Sequence, residues 1–182
     1  IDLSVSQVQP IIKGQDLFTL PIEITIVTSK GKRKETIWVK NKSDQFLLHC
    51  DEEPLMVSFD GSGVLVAEVH FDKSLNELIY QVFNDEITGR IRAMRAMARR
   101  FPVHQKTVQT FSDILSKEYF WGLKAEAAFL LGEIRTPEAE RILLQALKSS
   151  DYQVRKAAVL ALPDFRKDFA KEILRNVILK DK

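Results

Sequence analysis

The first seventy residues alternate between apolar and polar positions in several short runs. The clearest run covers 18–27, where Phe18, Leu20, Ile22, Ile24 and Ile26 are separated by mostly polar residues. A period of two places one apolar row on a buried sheet face. The runs predict about six short strands without an intervening helix, at 3–8, 18–27, 36–39, 45–49, 55–59 and 64–71. Such a series is typical of a small antiparallel β-sandwich.

Turn residues separate these strands. The polar stretch 29–34 has glycine near its centre and predicts a hairpin turn, while 60–63 (Asp-Gly-Ser-Gly) predicts a second tight turn. Pro21 lies inside the most regular strand, and proline cannot donate a ladder hydrogen bond. It therefore predicts a sheet edge or a bulge at that point.

After Ser74 the apolar period changes to that of amphipathic helices. Ser74 and Glu77 have the spacing of a capping box, Thr136 precedes Pro137 as a cap, and Asp151 is a third candidate cap. Seven helices are predicted, with the seventh carrying Phe169, Ile173 and Val177. The change of period divides the chain into two predicted domains, 1–73 and 74–182.

The predicted helices repeat. Lys124, Ala127 and Leu130-Leu131 recur 31 positions later as Arg155, Ala158 and Ala161-Leu162, and Arg90, Ala93 and Ala96-Met97 fit the template 34 positions earlier. A period of roughly 30–45 residues with two helices per unit indicates an α-solenoid. The unit that starts at Asp151 resembles a HEAT repeat. The predicted fold class is α+β in two domains, an Ig-like β-sandwich followed by a HEAT- or armadillo-like α-solenoid.

Composition narrows the function without fixing it. The 182 residues include 27 basic and 25 acidic side chains, a net charge of +2, which argues against nucleic acid as a partner. No apolar stretch approaches the roughly 18 residues that would span a bilayer, so no membrane partner is expected. The single cysteine, Cys50, is compatible with a cytoplasmic location. Because Ile1 is not methionine, we expect a fragment of a longer protein.

No catalytic constellation stands out in the pattern. The cluster 49–53 (His-Cys-Asp-Glu-Glu) has metal-ligand types, but consecutive strand positions point to opposite faces and cannot converge on one ion. There is no His-Glu-x-x-His motif and no nucleophile elbow. The sequence therefore predicts no catalytic residue and no metal ligand in this segment.

Three polar or aromatic clusters remain. Lys30, Lys32, Arg33 and Lys34 lie on the predicted hairpin, where a solvated surface is the simplest interpretation. Arg92, Arg95 and Arg99 follow one side of a predicted helix and are the candidate substrate or partner contacts, with a merely charged outer face as the alternative. The run 119–121 (Tyr-Phe-Trp) is expected to pack between repeats, with an exposed docking patch as its alternative.

Several segments resemble one enzyme family. The stretch 54–60 leads through Val64-Leu65 to Phe71-Asp72-Lys73-Ser74, and Glu77-Leu78 and Asn84-Asp85 follow. Together with 4–9 and 18–23, this order is similar to the region C-terminal to the catalytic domain of aminopeptidase N-like zinc metallopeptidases, the gluzincins. The resemblance covers residues 1 to about 100, and beyond them the chain is HEAT-like, as in some bacterial members.

The resemblance implies a non-catalytic tail of a zinc aminopeptidase that removes N-terminal residues from peptides. The family's zinc helix and Gly-x-Met-x-Asn loop precede the sandwich and are absent here, so zinc is expected in the parent's catalytic domain and none in this segment. The implied partners are that catalytic domain and the parent's peptide substrate. Two alternatives stay open: a protein-interaction scaffold, such as a TFIID-subunit-like protein with an inactive peptidase domain, and nucleic-acid binding through the arginine stripe.

Overall fold

The computed structural model describes residues 1–10, 17–118, 120–162 and 175. The chain forms two compact units, Ile1–Arg90 and Ile91–Lys182. The strands of the described part are β1 (Asp2–Ser6), β2 (Leu20–Thr28), β3 (Gly31–Val39), β4 (Ser43–Leu47) and β5 (Met56–Phe59). Its helices are α1 (Leu75–Asn84), α2 (Ile87–Arg100), α3 (Gln105–Lys117), α4 (Trp121–Ile134), α5 (Pro137–Ala146) and α6 (Tyr152–Ala161). Strands followed by helices give the predicted α+β class.

The strands of the first unit form two antiparallel sheets. β1 pairs with β4, and β2 lies between β3 and β5 in the second sheet. The register of β2 and β3 places Ile22 opposite Ile37, so both apolar rows point to the same face. Both sheets contribute to one buried cluster, which contains Leu3, Ile22, Ile24, Ile26, Ile37, Val39, Leu48 and Val57. Alternation in sequence thus gives the first unit a shared core.

Pro21 lies in the central strand at a place where its missing N–H is harmless. The carbonyls of Glu23 and Val27 accept hydrogen bonds from Asp60 and Leu55, on the side of β5. Pro21 is an even number of residues before Glu23 and Val27, so its backbone nitrogen faces the same side of β2. The pairing of β5 with β2, however, extends only as far as Ile24. The nitrogen of Pro21 therefore lies at a local edge of the sheet, as predicted.

The strand predicted at 64–71 is wrong. In the structure this stretch contains no strand, and Val64 and Val66 are exposed. The Asp60 carboxylate accepts hydrogen bonds from the Val64 and Leu65 amides, both at 3.0 Å, which turns the chain away from an extended path. Asp60 itself has φ +49°, a conformation that aspartate tolerates better than most residues.

The first hairpin is tighter than predicted. The turn consists of Ser29 and Lys30 alone, because Thr28 already pairs with Gly31. Gly31 has φ +135°, which only glycine adopts readily. The basic residues that follow it belong to β3, where Lys34 Nζ reaches Glu23 Oε1 at 2.9 Å on the neighbouring strand. This cross-strand ion pair lets a charged sequence extend the ladder.

α1 packs against β5 within the first unit. The Ser74 side chain accepts a hydrogen bond from the Glu77 amide, as predicted for its N-cap. Glu77 does not complete the capping box, because its Oε1 accepts from the Val57 amide of β5 at 3.1 Å instead. The domain boundary at residue 73 stays a prediction: it marks the change from strands to helices, while the first compact unit continues to Arg90.

The second unit is helical throughout its described part. Thr136 and Asp151 cap α5 and α6 through hydrogen bonds from Ala139 and Gln153 amides, as their sequence positions predict. The apolar stripes are buried, with Met94, Phe111, Leu131 and Leu143 fully enclosed. Gly132 of α4 lies against Ala161 of α6, where an added Cβ would be 2.9 Å from the Ala161 Cβ. The seventh predicted helix lies outside the described residues.

None of the helices in the described ranges is both long and apolar enough to cross a membrane.

Candidate recognition surface

The predicted arginines lie on α2, on the side away from its buried face. Ala93, Met94 and Met97 form the buried face, while Arg95 and Arg99 are exposed and Arg92 is half-buried. Spacings of three and four residues place the three arginines along one side of the helix. The stripe that the sequence predicted therefore exists as a surface.

Arg95 is held by a residue of α4. Its Nε and Nη2 donate to Glu126 Oε1 and Oε2 at 2.6 and 3.2 Å, a bidentate pair. The Glu126 side chain is only 15% exposed against 65% for Arg95. The hydrogen bond that Arg95 donates to Glu126 raises the pKa of Arg95 further above its usual range. Arg95 is thus a fixed cation in this surface.

A cavity of about 500 Å³ opens between α2 and α4. Arg95 and Arg99 form its basic side, and Glu126 and Glu133 form its acidic side. Phe129 lies between the two glutamates in the sequence of α4, also lines the cavity and is exposed. Ala98, Pro102, Leu130 and Ile134 complete the lining. Arg92 does not line the cavity, so the structure brings together two of the three predicted residues.

Sequence reasoning missed the α4 side of this cavity. Glu126, Phe129 and Glu133 occupy the positions 34 residues after Arg92, Arg95 and Arg99 (92 + 34 = 126, 95 + 34 = 129, 99 + 34 = 133). The offset is the one that relates the first two helices of the repeat template. Applying it to the arginine stripe would have found all three residues.

The cavity has the chemistry of a recognition surface. Guanidinium groups bind carboxylates, carboxylates bind ammonium groups, and an exposed aromatic ring packs against apolar side chains. A peptide carries all three kinds of group. In the residues that the structure describes, no three His, Cys, Asp or Glu side chains lie close enough to hold a metal ion.

A second polar cluster is buried at the junction of β5 and α1. Lys73 is almost completely buried; its Nζ donates to the Val57 carbonyl and to Gln81 Oε1 at 2.7 Å, with Glu77 Oε1 at 3.4 Å. The Phe71 ring centroid lies 4.7 Å from the same ammonium. Desolvation lowers the pKa of Lys73, and Glu77 opposes that shift.

The same network continues to the end of α1. Gln81 Nε2 donates to Asp85 Oδ2 at 2.8 Å, and Ser58 Oγ of β5 donates to the same oxygen at 2.6 Å. Gly89 packs against Asp85 so closely that a Cβ would lie 2.0 Å from the carboxylate. The Lys73 and Asp85 positions of the resemblance thus act together structurally, by joining strand to helix.

The basic hairpin is neutralised by its neighbours. Lys30 pairs with Glu52 at 2.9 Å, Arg33 with Glu35 at 2.8 Å and Lys34 with Glu23 at 2.9 Å. The hydrogen bond to Glu23 raises the pKa of Lys34. A smaller cavity of about 210 Å³ lies beside this hairpin and reaches Cys50. The Cys50 thiol is half-buried and donates to the Glu52 carbonyl at 2.9 Å.

The aromatic run before α4 is exposed, contrary to the expected core packing. Phe120 and Trp121 are 39% and 48% exposed, and their ring centroids lie 5.8 Å apart. Tyr119 lies outside the described residues. Phe120 is the N-cap of α4 and Trp121 its first residue, and both side chains lie at the surface instead of in a seam between repeats.

Comparisons with known proteins give one family model and one solved structure that are similar to parts of this chain. The family model of HEAT repeats matches residues 108–182. No curated protein matches the sequence. One similar solved structure is that of an aminopeptidase A from Legionella pneumophila in complex with aspartic acid, with a TM-score of 0.55 and 14% identity. The similarity covers 85% of this chain but only 25% of that protein, and at this identity it shows a shared fold.

Proposed function

We propose that this chain is a non-catalytic C-terminal region of a zinc aminopeptidase. In the parent enzyme this region acts as a spacer next to the catalytic domain, and it forms part of the wall of the active-site chamber. The observation that carries the proposal is the similarity to the Legionella aminopeptidase over 85% of this chain. The order Phe71-Asp72-Lys73-Ser74, Glu77-Leu78, Asn84-Asp85 supports the same family independently.

The proposal extends to the finer architecture. We interpret the two antiparallel sheets with their shared core as an Ig-like sandwich. We interpret the helices as a HEAT-like solenoid, because α4 and α6 are 31 residues apart and pack closely at Gly132 and Ala161. Each interpretation would make its own unit a support built of packed elements, which suits a spacer better than a catalyst.

We assign the residues that line the cavity between α2 and α4 to the wall of the active-site chamber. Arg95 and Arg99 would contact a peptide substrate of the parent through its carboxylates, with Arg92 at the edge of the same surface. The zinc ion that such an enzyme uses supplies Lewis-acid chemistry at the scissile bond. The described residues offer no ligand set for it, so we assign the ion to the parent's catalytic domain.

The coding sequence on the N-terminal side of Ile1 tests the proposal most directly. We expect a domain that carries His-Glu-x-x-His and a downstream glutamate. A peptidase-like domain that lacks this motif would favour a scaffold, and the absence of any such domain would refute both.

The wall itself is tested in the full-length enzyme by Arg99→Ala. We expect a several-fold higher KM for a peptide of about ten residues, which extends up to roughly 33 Å when fully stretched. The KM for an aminoacyl nitroanilide should not change, because that substrate ends near the scissile bond. The matched control is Arg141→Ala, which removes an exposed arginine of α5. Equal effects of Arg99→Ala on both substrates would contradict the assignment.

A protein-interaction scaffold is the second candidate. The observation that favours it is the exposure of large apolar side chains at the same positions of two successive repeats, in α4 and α6. In that case the peptidase-like domain of the parent would be inactive.

A further inference from the structure

Exposed apolar side chains recur at one repeat spacing in the second unit. Trp121 and Phe129 of α4 are 48% and 56% exposed, and Tyr152 and Leu160 of α6 are 56% and 69% exposed. Each α6 residue follows its α4 counterpart by 31 positions (121 + 31 = 152, 129 + 31 = 160). Large apolar side chains at equivalent, solvent-exposed positions of neighbouring repeats are typical of an interaction surface.

These four residues, the α4–α6 apolar surface, occupy equivalent exposed positions on two helices that pack against each other. Within each helix the two apolar residues are eight positions apart, which is about 12 Å along the axis. α4 and α6 pack closely enough for Gly132 to touch Ala161, and packed helix axes lie roughly 8–10 Å apart. The surface therefore has two apolar rows of about equal length and separation.

Lys156 adds charge to this surface. It lies between Tyr152 and Leu160 at steps of four residues, so the three side chains share a line on α6. It is exposed and makes no ion pair with any residue of the described part. The equivalent position on α4 is Ala125, which is small. A ligand with an acidic group over Lys156 and an apolar group on each side of it would pair with the lysine and cover the four apolar side chains.

The size of the surface favours a short segment over a second copy of the chain. Four half-exposed large side chains offer roughly 400 Å² of contact area. A standard interface buries about 800 Å² on each partner. An amphipathic helix with apolar residues at i and i+7 spans about 10.5 Å, which matches the separation of the rows.

We propose that the α4–α6 apolar surface docks an amphipathic helix of another protein that carries an acidic residue between two apolar anchors. The anchors pack on Trp121 and Phe129 on one side and on Tyr152 and Leu160 on the other. The acidic side chain pairs with Lys156. The proposal does not depend on the aminopeptidase assignment, because three of its four apolar residues lie outside the α2–α4 cavity; Phe129 is shared with that cavity.

Two fluorescent helical peptides of about 16 residues test this proposal with the 182-residue chain. Both have leucine at i and i+7 on the apolar face; one has glutamate at i+4 and the other has lysine there. We expect the glutamate peptide to bind three- to tenfold more tightly in a fluorescence-anisotropy titration. Phe129→Asp should weaken both peptides at least tenfold, and its far-UV circular dichroism at the assay temperature should match that of the wild type, which separates lost binding from lost folding.

The charge reversal Lys156→Glu gives the sharper readout. It should reverse the preference, so that the lysine peptide binds more tightly. The matched control Lys148→Glu changes another exposed lysine of the same unit and should leave the preference as it was. Failure of both peptides to bind, or an unchanged preference in Lys156→Glu, would overturn the proposal.

Two further measurements identify a different occupant. If sedimentation shows that the chain dimerises and that Phe129→Asp abolishes the dimer, a second copy covers the surface and the proposal is wrong. If the 182-residue chain binds the glutamate peptide but the full-length parent does not, the rest of the parent covers it, which also overturns the proposal. Binding by both forms supports it.

Discussion

At the scale of single residues, Lys73 is the side chain on which we expect the first unit to depend most. Its ammonium donates to the Val57 carbonyl and to Gln81, and it lies 3.4 Å from Glu77. Lys73→Met keeps most of the volume but removes the ammonium that donates to the Val57 carbonyl and to Gln81 Oε1 in a buried position. We expect a loss of about 2–4 kcal/mol in the free energy of unfolding, measured by chemical denaturation.

A matched control separates this effect from a general loss of charge. Lys117→Met removes a 73%-exposed lysine that pairs with Asp113 four residues earlier on the same helix. Exposed pairs of this kind contribute at most about 0.5 kcal/mol. If Lys73→Met proved as mild as Lys117→Met, the buried network would not stabilise the junction of β5 and α1.

Lys73 also predicts a pH dependence. Desolvation lowers its pKa in the folded state below the ordinary 10.5, so the unfolded state binds more protons between the two values. Stability contributed by this residue must therefore rise with pH through that alkaline window. Wild type should gain stability relative to Lys73→Met as the pH approaches 10.5 from below. If the difference in unfolding free energy between the two proteins did not change with pH, burial would not lower the pKa of Lys73.

At the scale of elements, the contact between α4 and α6 predicts the effect of Gly132→Ala, in which a gain in helix propensity opposes a steric clash. Replacing Gly132 with alanine should favour the helix by roughly 1 kcal/mol. The new Cβ, however, would lie 2.9 Å from the Ala161 Cβ and 3.0 Å from its carbonyl oxygen, and backbone atoms cannot move aside easily. We expect the clash to win, with a net destabilisation of about 1–2 kcal/mol in thermal or chemical unfolding.

Gly122→Ala on the same helix is the control. The three atoms nearest to its Cβ would all belong to the Phe120 ring, which is partly exposed and can rotate. It should be neutral or stabilising. Equal and stabilising effects at both glycines would mean that α4 and α6 are not in close contact at Gly132.

The elements also show which sequence signals suffice. α5 and α6 could be predicted at their starts because Thr136 and Asp151 cap them locally, within three residues. The strand at 64–71 could not be excluded from the sequence. The Asp60 carboxylate turns the chain there by accepting hydrogen bonds from the Val64 and Leu65 amides, and the alternation of apolar and polar residues carries no sign of these bonds. The length of β3 was missed because Lys34 finds its acidic partner, Glu23, on the neighbouring strand, which the order of residues does not show.

The candidate site divides in the same way. Arg95 and Arg99 could be found from one helix alone, since a stripe is a local pattern. Glu126 required knowledge of which helix lies opposite Arg95, and that is a property of packing. The exposure of Trp121 was missed for a related reason: a large aromatic side chain usually packs, and only the position of the helix start shows that this one does not.

At the scale of the whole molecule, the proposed function predicts an inactive chain. The described residues bring no set of metal ligands together, and the Cys50 thiol is half-buried and engaged with a backbone carbonyl. The purified, folded 182-residue chain should therefore release no nitroaniline from aminoacyl nitroanilides above the buffer blank, with or without added zinc. The full-length parent, assayed in parallel, should hydrolyse the same substrates and should lose activity to a chelator. Zinc-dependent hydrolysis that co-elutes with the isolated chain on size exclusion would contradict its role as an accessory region, because the chemistry would then lie within these residues.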